Sequence, residues 1–288
     1  MKTQSCMNRL LWITLLVIGL SGCSEESSSS EENTESGTIQ DGDHTDNATV
    51  IQLNLSEQYQ TVEGIGGGIA NYENWYCQHP NKKDLFDLIF KDLEISMIRI
   101  GNWYEKKISG ENPDILKQQK EIMDAATQRL GRSNFSVMMS NWLVAPDLID
   151  RPKEKGATLK RNNEGKYMYK EFGEWCRMTL KAYQEADMSP DYLSMMNEPD
   201  GDNSAGTKIR LGYGIDDSQK ANYGKALEAI YEAFKEVSKR PKLIGPEVLG
   251  IGYGTFSNYY RDLNPDLLDA AAFHCYHGCL LYTSDAAD

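Results

Sequence analysis

Five times between Asp84 and Tyr276 a stretch with helical spacing leads into a short apolar run, and this alternation limits the fold more than any other property of the chain. Asp84–Phe90 precedes Ile95–Ile100, and a predicted helix from about Asp114 to Leu130 precedes Phe135–Ser140. One from about Lys170 to Ala186 precedes Tyr192–Met196, one from Ser218 to Val237 precedes Lys242–Gly245, and helical turns from about Phe256 precede Ala270–Tyr276. With a strand through Ile65 counted first, six strands alternate with helices. Strands that are apolar on both faces and joined by helical crossovers belong in a covered parallel sheet, either open and doubly wound or closed into a barrel.

The residues just past each strand favour the barrel. Asn102 and Trp103, Asn141 and Trp142, Asn197 and Glu198, Glu247, and then His274, Tyr276 and His277 are polar or aromatic. In a (β/α)8 TIM barrel all strand C-termini open on one face, so these distant residues would share one rim. A complete barrel needs eight strands and about 250 residues. The expectation is therefore an α/β chain with an incomplete barrel over residues 49–278.

Two segments ahead of the first helix are also readable. Val50–Leu55 alternates like a strand with one buried face, and Val62 leads into Ile65-Gly66-Gly67-Gly68-Ile69. The three glycines imply close backbone approach or positive φ angles. Their spacing is not that of a dinucleotide fingerprint and no Gly-Lys-Ser/Thr follows, which argues against a nucleotide site.

The ends differ from this middle. Residues 1–22 carry Lys2 and Arg9 ahead of the apolar run Leu10–Leu20, too short to span a bilayer and suited to a cleaved leader. Leu20-Ser21-Gly22-Cys23 resembles a bacterial lipobox, which implies lipidation at Cys23 and a place in the cell envelope, periplasmic or on the outer surface. Residues 23–48 hold almost nothing apolar and read as a disordered tether. Residues 279–288 resemble the read-through of a sequencing adapter, so the natural chain is expected to be interrupted near Gly278.

Loss of the leader removes two of 30 basic residues and none of 43 acidic ones, leaving a net charge of −15. Nucleic acid is a poor partner for such a chain. Of the six cysteines, Cys77, Cys176 and Cys275 remain after the leader, the lipobox and the adapter-like tail. They are odd in number and lack metal-site spacing, so each reads as core packing, with no disulfide framework and no metal.

The sharpest motif is Leu193-Ser194-Met195-Met196-Asn197-Glu198-Pro199-Asp200, an apolar strand that ends by presenting a carboxylate. By itself Asn-Glu-Pro is also a plausible strand-ending turn. Val62-Glu63-Gly64-Ile65-Gly66-Gly67-Gly68, Met97-Ile98-Arg99-Ile100-Gly101, Met139-Ser140-Asn141-Trp142 and Leu243-Ile244-Gly245-Pro246-Glu247 accompany it in order. Together these segments, over about Gln60 to Gly278, resemble family 30 of the glycoside hydrolases, a member of the TIM-barrel clan A.

The resemblance implies a retaining hydrolase of β-linked glycan, endo-acting on xylan or glucuronoxylan, with no cofactor. It makes Glu198 the acid/base, a role that calls for a carboxyl of raised pKa. Asn197 would bond the sugar 2-hydroxyl, and His274 and Tyr276 would bond the sugar or hold the nucleophile. Trp142 either forms part of the sugar platform or packs in the core. Arg99 needs a carboxylate partner inside the barrel and is expected to support the catalytic carboxylates. Glu247 sits on the neighbouring strand, but the family's nucleophile is a glutamate ending the seventh strand, and no residue here matches it. The third strand departs from the family, with Ser140-Asn141-Trp142-Leu143-Val144-Ala145-Pro146 in place of a proline-rich segment. The family also implies a small β-sandwich, of which Val50–Leu55 would be the remnant. A chain ending at the sixth strand would expose unpaired edges and hydrolyse little. The readings left open are other family activities, namely β-1,6-glucanase, β-glucosidase or glucosylceramidase, and a surface glycan-binding lipoprotein that has lost catalysis.

Overall fold

The computed structural model describes residues 61–152, 154–201, 209–214, 219–251 and 255–275. The leader, Cys23, the tether, Val50–Leu55, Tyr276 and residues 279–288 lie outside them.

Six strands form one sheet: β1 (Gly66–Gly68), β2 (Met97–Asn102), β3 (Ser136–Asn141), β4 (Tyr192–Ser194), β5 (Lys242–Val248) and β6 (Ala270–Phe273). Each pairs in parallel with the next in the chain, so spatial order equals sequence order. A doubly wound sheet reverses its order at a switch point. This one does not, and it curls as an incomplete (β/α)8 barrel.

The crossovers are helical: α1 (Glu73–Gln78), α2 (Lys82–Asp87), α3 (Tyr104–Ile108), α4 (Ile115–Leu130), α5 (Tyr169–Glu185), α6 (Tyr223–Phe234) and α7 (Thr255–Asp262). Alternate strand residues face opposite ways. Ile98, Ile100, Val137, Met139, Leu193 and Leu243 pack with Ile122, Phe172, Leu180 and Ile230 of the helices, while Met97, Met138, Tyr192, Ile244, Ala270 and Ala272 form a second buried cluster. That second face is the barrel interior, and it is the face that Arg99 and Ser140 share by alternation.

Three sequence expectations change. The helix expected from Ser218 starts only at Tyr223, because Asn222 is extended and its Oδ1 accepts the Lys225 N–H at 2.9 Å, capping an otherwise orphaned donor. Just before it, Ala221–Asn222 pairs in parallel with Leu211–Gly212. The strand expected to end at Gly245 continues through Pro246 to Val248 with a register shift against β6, since proline cannot donate to the ladder. Of the three glycines in β1, only Gly66 is demanded by close approach: a Cβ there would lie 2.0 Å from the Met97 carbonyl oxygen, while Gly67 and Gly68 meet nothing within 4 Å.

Candidate active site

The polar groups of β2 to β6 converge at the C-terminal rim around one buried carboxylate, Glu247. Arg99 is the third residue of β2, inside the strand and not at its end. Its Nη2 donates to Glu247 Oε1 at 2.5 Å and to Asn197 Oδ1 at 2.5 Å, and its Nε donates to Ser140 Oγ at 3.2 Å. Ser140 Oγ donates in turn to Glu247 Oε1 at 3.0 Å. Register explains the convergence, because Gly101 lies opposite Ser140, Ser140 opposite Ser194, and Ser194 opposite Ile244.

Glu247 reaches this network only because its strand is irregular. A regular β5 that turns Ile244 inward would turn residue 247 toward the helices. The register shift and a φ of +52° re-aim it. Glu198 also has a positive φ, +47°. Left-handed backbone costs a residue with a side chain about 1–2 kcal/mol, and such strain clusters at functional sites. The two strained carboxylates are tied together: the Glu198 N–H donates to the Glu247 carbonyl at 2.9 Å.

His274, one residue past β6, joins the two side chains. Its Nδ1 lies 2.9 Å from Glu198 Oε1 and its Nε2 lies 3.4 Å from Glu247 Oε1. Burial disfavours a charged ring, but the hydrogen bonds to Glu198 and Glu247 outweigh it and raise the His274 pKa above 6.5. For Glu247 burial alone would raise the pKa, but Arg99 and His274 together lower it below 4.5. Glu247 is therefore a buried anion held by the Arg99 guanidinium and the His274 ring, and its side chain is 1% exposed. Glu198 is 13% exposed and faces the rim.

Asn197 is buried beside it, with Oδ1 occupied by Arg99, so its amide Nδ2 remains as a donor toward a ligand. Trp142 is half-buried. Its ring lies 5.3 Å from that of Trp103 and carries the Arg99 guanidinium 4.3 Å from its centroid. Asn102 and Asn141 are not ligand groups: both are buried, and they bond each other, Thr179 and the Met195 carbonyl.

Ser140 was not singled out from the sequence. The only signal was a hydroxyl at an interior position of an otherwise apolar strand. Behind β2, the Trp103 indole lies over Gly101, where a Cβ would sit 2.4 Å from the ring. Its Nε1 donates to buried Glu73 at 2.6 Å. Burial raises the pKa of Glu73 above 4.5 against that bond and one from Gln119. The cysteines divide: Cys176 is buried and Cys77 half-buried, but Cys275 is exposed, because it follows the strand-ending His274 and faces out of the sheet. Among the described residues no group of three or more His, Cys, Asp or Glu is placed to hold a metal ion. Nor, among them, is any helix long and apolar enough to cross a membrane.

No family model matches the chain, and no curated protein matches it. Solved structures do. The catalytic domain of xylanase C from Talaromyces cellulolyticus, a glycoside hydrolase of family 30, superposes with a TM-score of 0.56 at 13% identity, over 77% of this chain and 55% of that one. A family 30, subfamily 8 xylanase from Clostridium acetobutylicum gives 0.54 at 15% identity over 77% and 52%. An endo-β1,6-glucanase gives 0.55 at 16% identity over 81% and 57%. The chain thus spans about half the length of these structures. At such identities the likeness is one of fold, and the fold is that of the family 30 glycoside hydrolases.

Proposed function

We propose that the protein is a retaining hydrolase of β-linked glycans with Glu198 as acid/base, and that its substrate is xylan or glucuronoxylan. The observation that supports this best is the placement of Glu198: a partly exposed carboxyl at the barrel rim, bonded to His274 and next to Asn197. In such a reaction the carboxyl protonates the leaving glycosidic oxygen and then draws a proton from the attacking water. The Asn197 amide would donate to a sugar hydroxyl while Arg99 fixes its orientation.

Glu247 is not offered as the nucleophile. Its Oε1 is held by Arg99, Ser140 and His274, and its side chain is only 1% exposed, which leaves it little access to a sugar at the rim. The attacking carboxylate of the resemblance, on a seventh strand, has no counterpart among the described residues. The proposal includes a lipid anchor at Cys23 in the cell envelope of a bacterium, with the soluble barrel held on a tether.

The test is a polysaccharide panel given to the protein expressed from its gene with whatever sequence that gene places after Gly278. Release of xylo-oligosaccharides, lost in Glu198→Gln, supports the reading. Turnover of β-1,6-glucan in place of xylan would change the substrate and leave the reaction standing. Intact turnover in Glu198→Gln would remove the mechanism.

A further inference from the structure

Where β4 ends, the chain leaves the sheet with the help of one side chain. β4 and β5 run parallel, with Tyr192 opposite Lys242, Leu193 opposite Leu243 and Ser194 opposite Ile244. Carried on from Ser194, that register sets Glu198 opposite Val248. In a parallel ladder a residue that faces the next strand donates its N–H to the residue before its partner, and its carbonyl accepts from the residue after that partner. The first of these bonds is present, since the Glu198 N–H donates to the Glu247 carbonyl at 2.9 Å. The second is replaced. The Leu249 N–H donates to the Asp200 carboxylate, 3.0 Å from Oδ1 and 3.4 Å from Oδ2, while the Glu198 carbonyl accepts from the Gly201 N–H at 2.9 Å.

This exchange bears directly on Glu198. A carbonyl turned toward Gly201 points out of the ladder, and the Leu249 N–H, next to buried Val248, would lose its acceptor at a cost. Asp200, half-buried, supplies that acceptor, and the backbone at Glu198 can take its φ of +47°. Pro199 suits the exit because it brings no N–H that needs a partner. Its carbonyl accepts from the Leu211 N–H at 3.2 Å, and the Asp200 carbonyl accepts from Arg210 Nη2 at 3.0 Å. The turn is thus held along its length, and the Asp200 carboxylate fastens it to the end of β5 just past Glu247.

We propose that Asp200 is a positioning residue for the acid/base: its carboxylate takes the ladder bond that the Glu198 carbonyl gives up, and so holds Glu198 in the left-handed turn that aims its side chain at the rim and at His274. Asp200 acts through Glu198 and not on the substrate. The role calls for an acceptor oxygen at this point, not for a charge. This rests on the hydrolase reading above.

The experiment measures turnover of β-linked polymer and of an aryl glycoside bearing an acidic phenol, by the gene-encoded protein used for the polysaccharide panel and by Asp200→Ala, Asp200→Ser and Asp200→Asn. Only the polymer needs a proton on its leaving oxygen, and the ratio of the two rates does not depend on how much of a variant is folded. A catalytic group misplaced by about 1 Å can cost about a hundredfold. The polymer rate in Asp200→Ala should therefore fall by about ten- to a hundredfold relative to the aryl rate. Asp200→Asn should recover most of the ratio, because its Oδ1 can still accept from Leu249. Hydrogen exchange at the Leu249 amide should be slow in the parent and in Asp200→Asn and fast in Asp200→Ala. Should Asp200→Ala yield no folded protein, Asp200→Ser is read in its place with the same expectation. An unchanged ratio in Asp200→Ala would overturn the proposal whatever the absolute rates. So would a ratio in Asp200→Asn as low as in Asp200→Ala, which would assign the effect to the charge. A parent that cleaves no β-glycan removes the hydrolase reading and this one together. A parent that loses polymer turnover in Glu198→Gln but keeps its ratio in Asp200→Ala removes this one alone.

Discussion

The two ends of the barrel hold charges in opposite ways. A cavity of about 770 Å³ lies at the N-terminal ends of β3, β4 and β5, lined by Ser136, Tyr192 and Lys242 with Arg132, Asp191, Lys239 and Arg240. Its ion pairs are wet: Arg132 and Asp191, 2.9 Å apart, have side chains 40% and 42% exposed. At the C-terminal end Arg99 and Glu247 are 9% and 1% exposed and share their bonds with Asn197, Ser140 and His274. What marks the site is charge that has been taken out of water and is held by many partners.

That contrast can be broken by mutation. Arg99→Met leaves Glu247 buried without its main counter-charge, and should cost about 3–5 kcal/mol of unfolding free energy in denaturant titrations. Arg99→Met/Glu247→Leu should recover much of that loss, because the burden is the unpaired charge. If Arg99→Met costs no more than Arg132→Met, the two ends are alike and the contrast fails.

The rim should also give stability a pH signature. His274 has a raised pKa, so its contribution is fully present below about 6.5 and is lost as pH rises through the higher folded value. Glu247 has a lowered pKa, so its contribution is present above about 4.5 and is lost as pH falls through the lower folded value. Melting temperature against pH should therefore plateau between these limits, and His274→Phe should remove the decline on the alkaline side. An unchanged alkaline decline in His274→Phe would place its origin elsewhere.

Two smaller effects sharpen the comparison. Arg132→Met, at the wet end, should shift stability by less than about 1 kcal/mol and less still at high salt. Glu73→Gln should also cost less than about 1 kcal/mol, because an amide oxygen can still accept from Trp103 and Gln119 and the native carboxyl is already biased toward its neutral form. A large loss in Glu73→Gln would mean that the carboxyl is ionised there.

How far the sequence could be read follows from the same physics. Strands buried on both faces are continuous apolar runs, so β2 to β6 were legible, and their sequential order agrees with the barrel alternative. The carboxylate at the end of β4 was legible because Asn197-Glu198-Pro199 interrupts an apolar run. Glu247 was less legible, because its aim depends on a register shift and a left-handed backbone that no local pattern announces. Ser140 matters only through register with Gly101 and Ser194, a property of three strands. The start of α6 was misjudged because Asn222, a capping residue, sits inside a stretch with helical spacing. Glu73 was silent, and Trp103, expected at the rim, is buried instead, because their bond joins residues 30 apart and no local pattern announces it.

The central claim is that Glu198 gives a proton to the departing oxygen, and dependence on the leaving group tests it most directly. Turnover of Glu198→Gln should fall by about 10²–10⁴ on β-linked polymer, whose leaving alcohol needs protonation, with cleavage of an aryl glycoside bearing an acidic phenol falling much less. Equal losses on both substrates, or none on either, would contradict it.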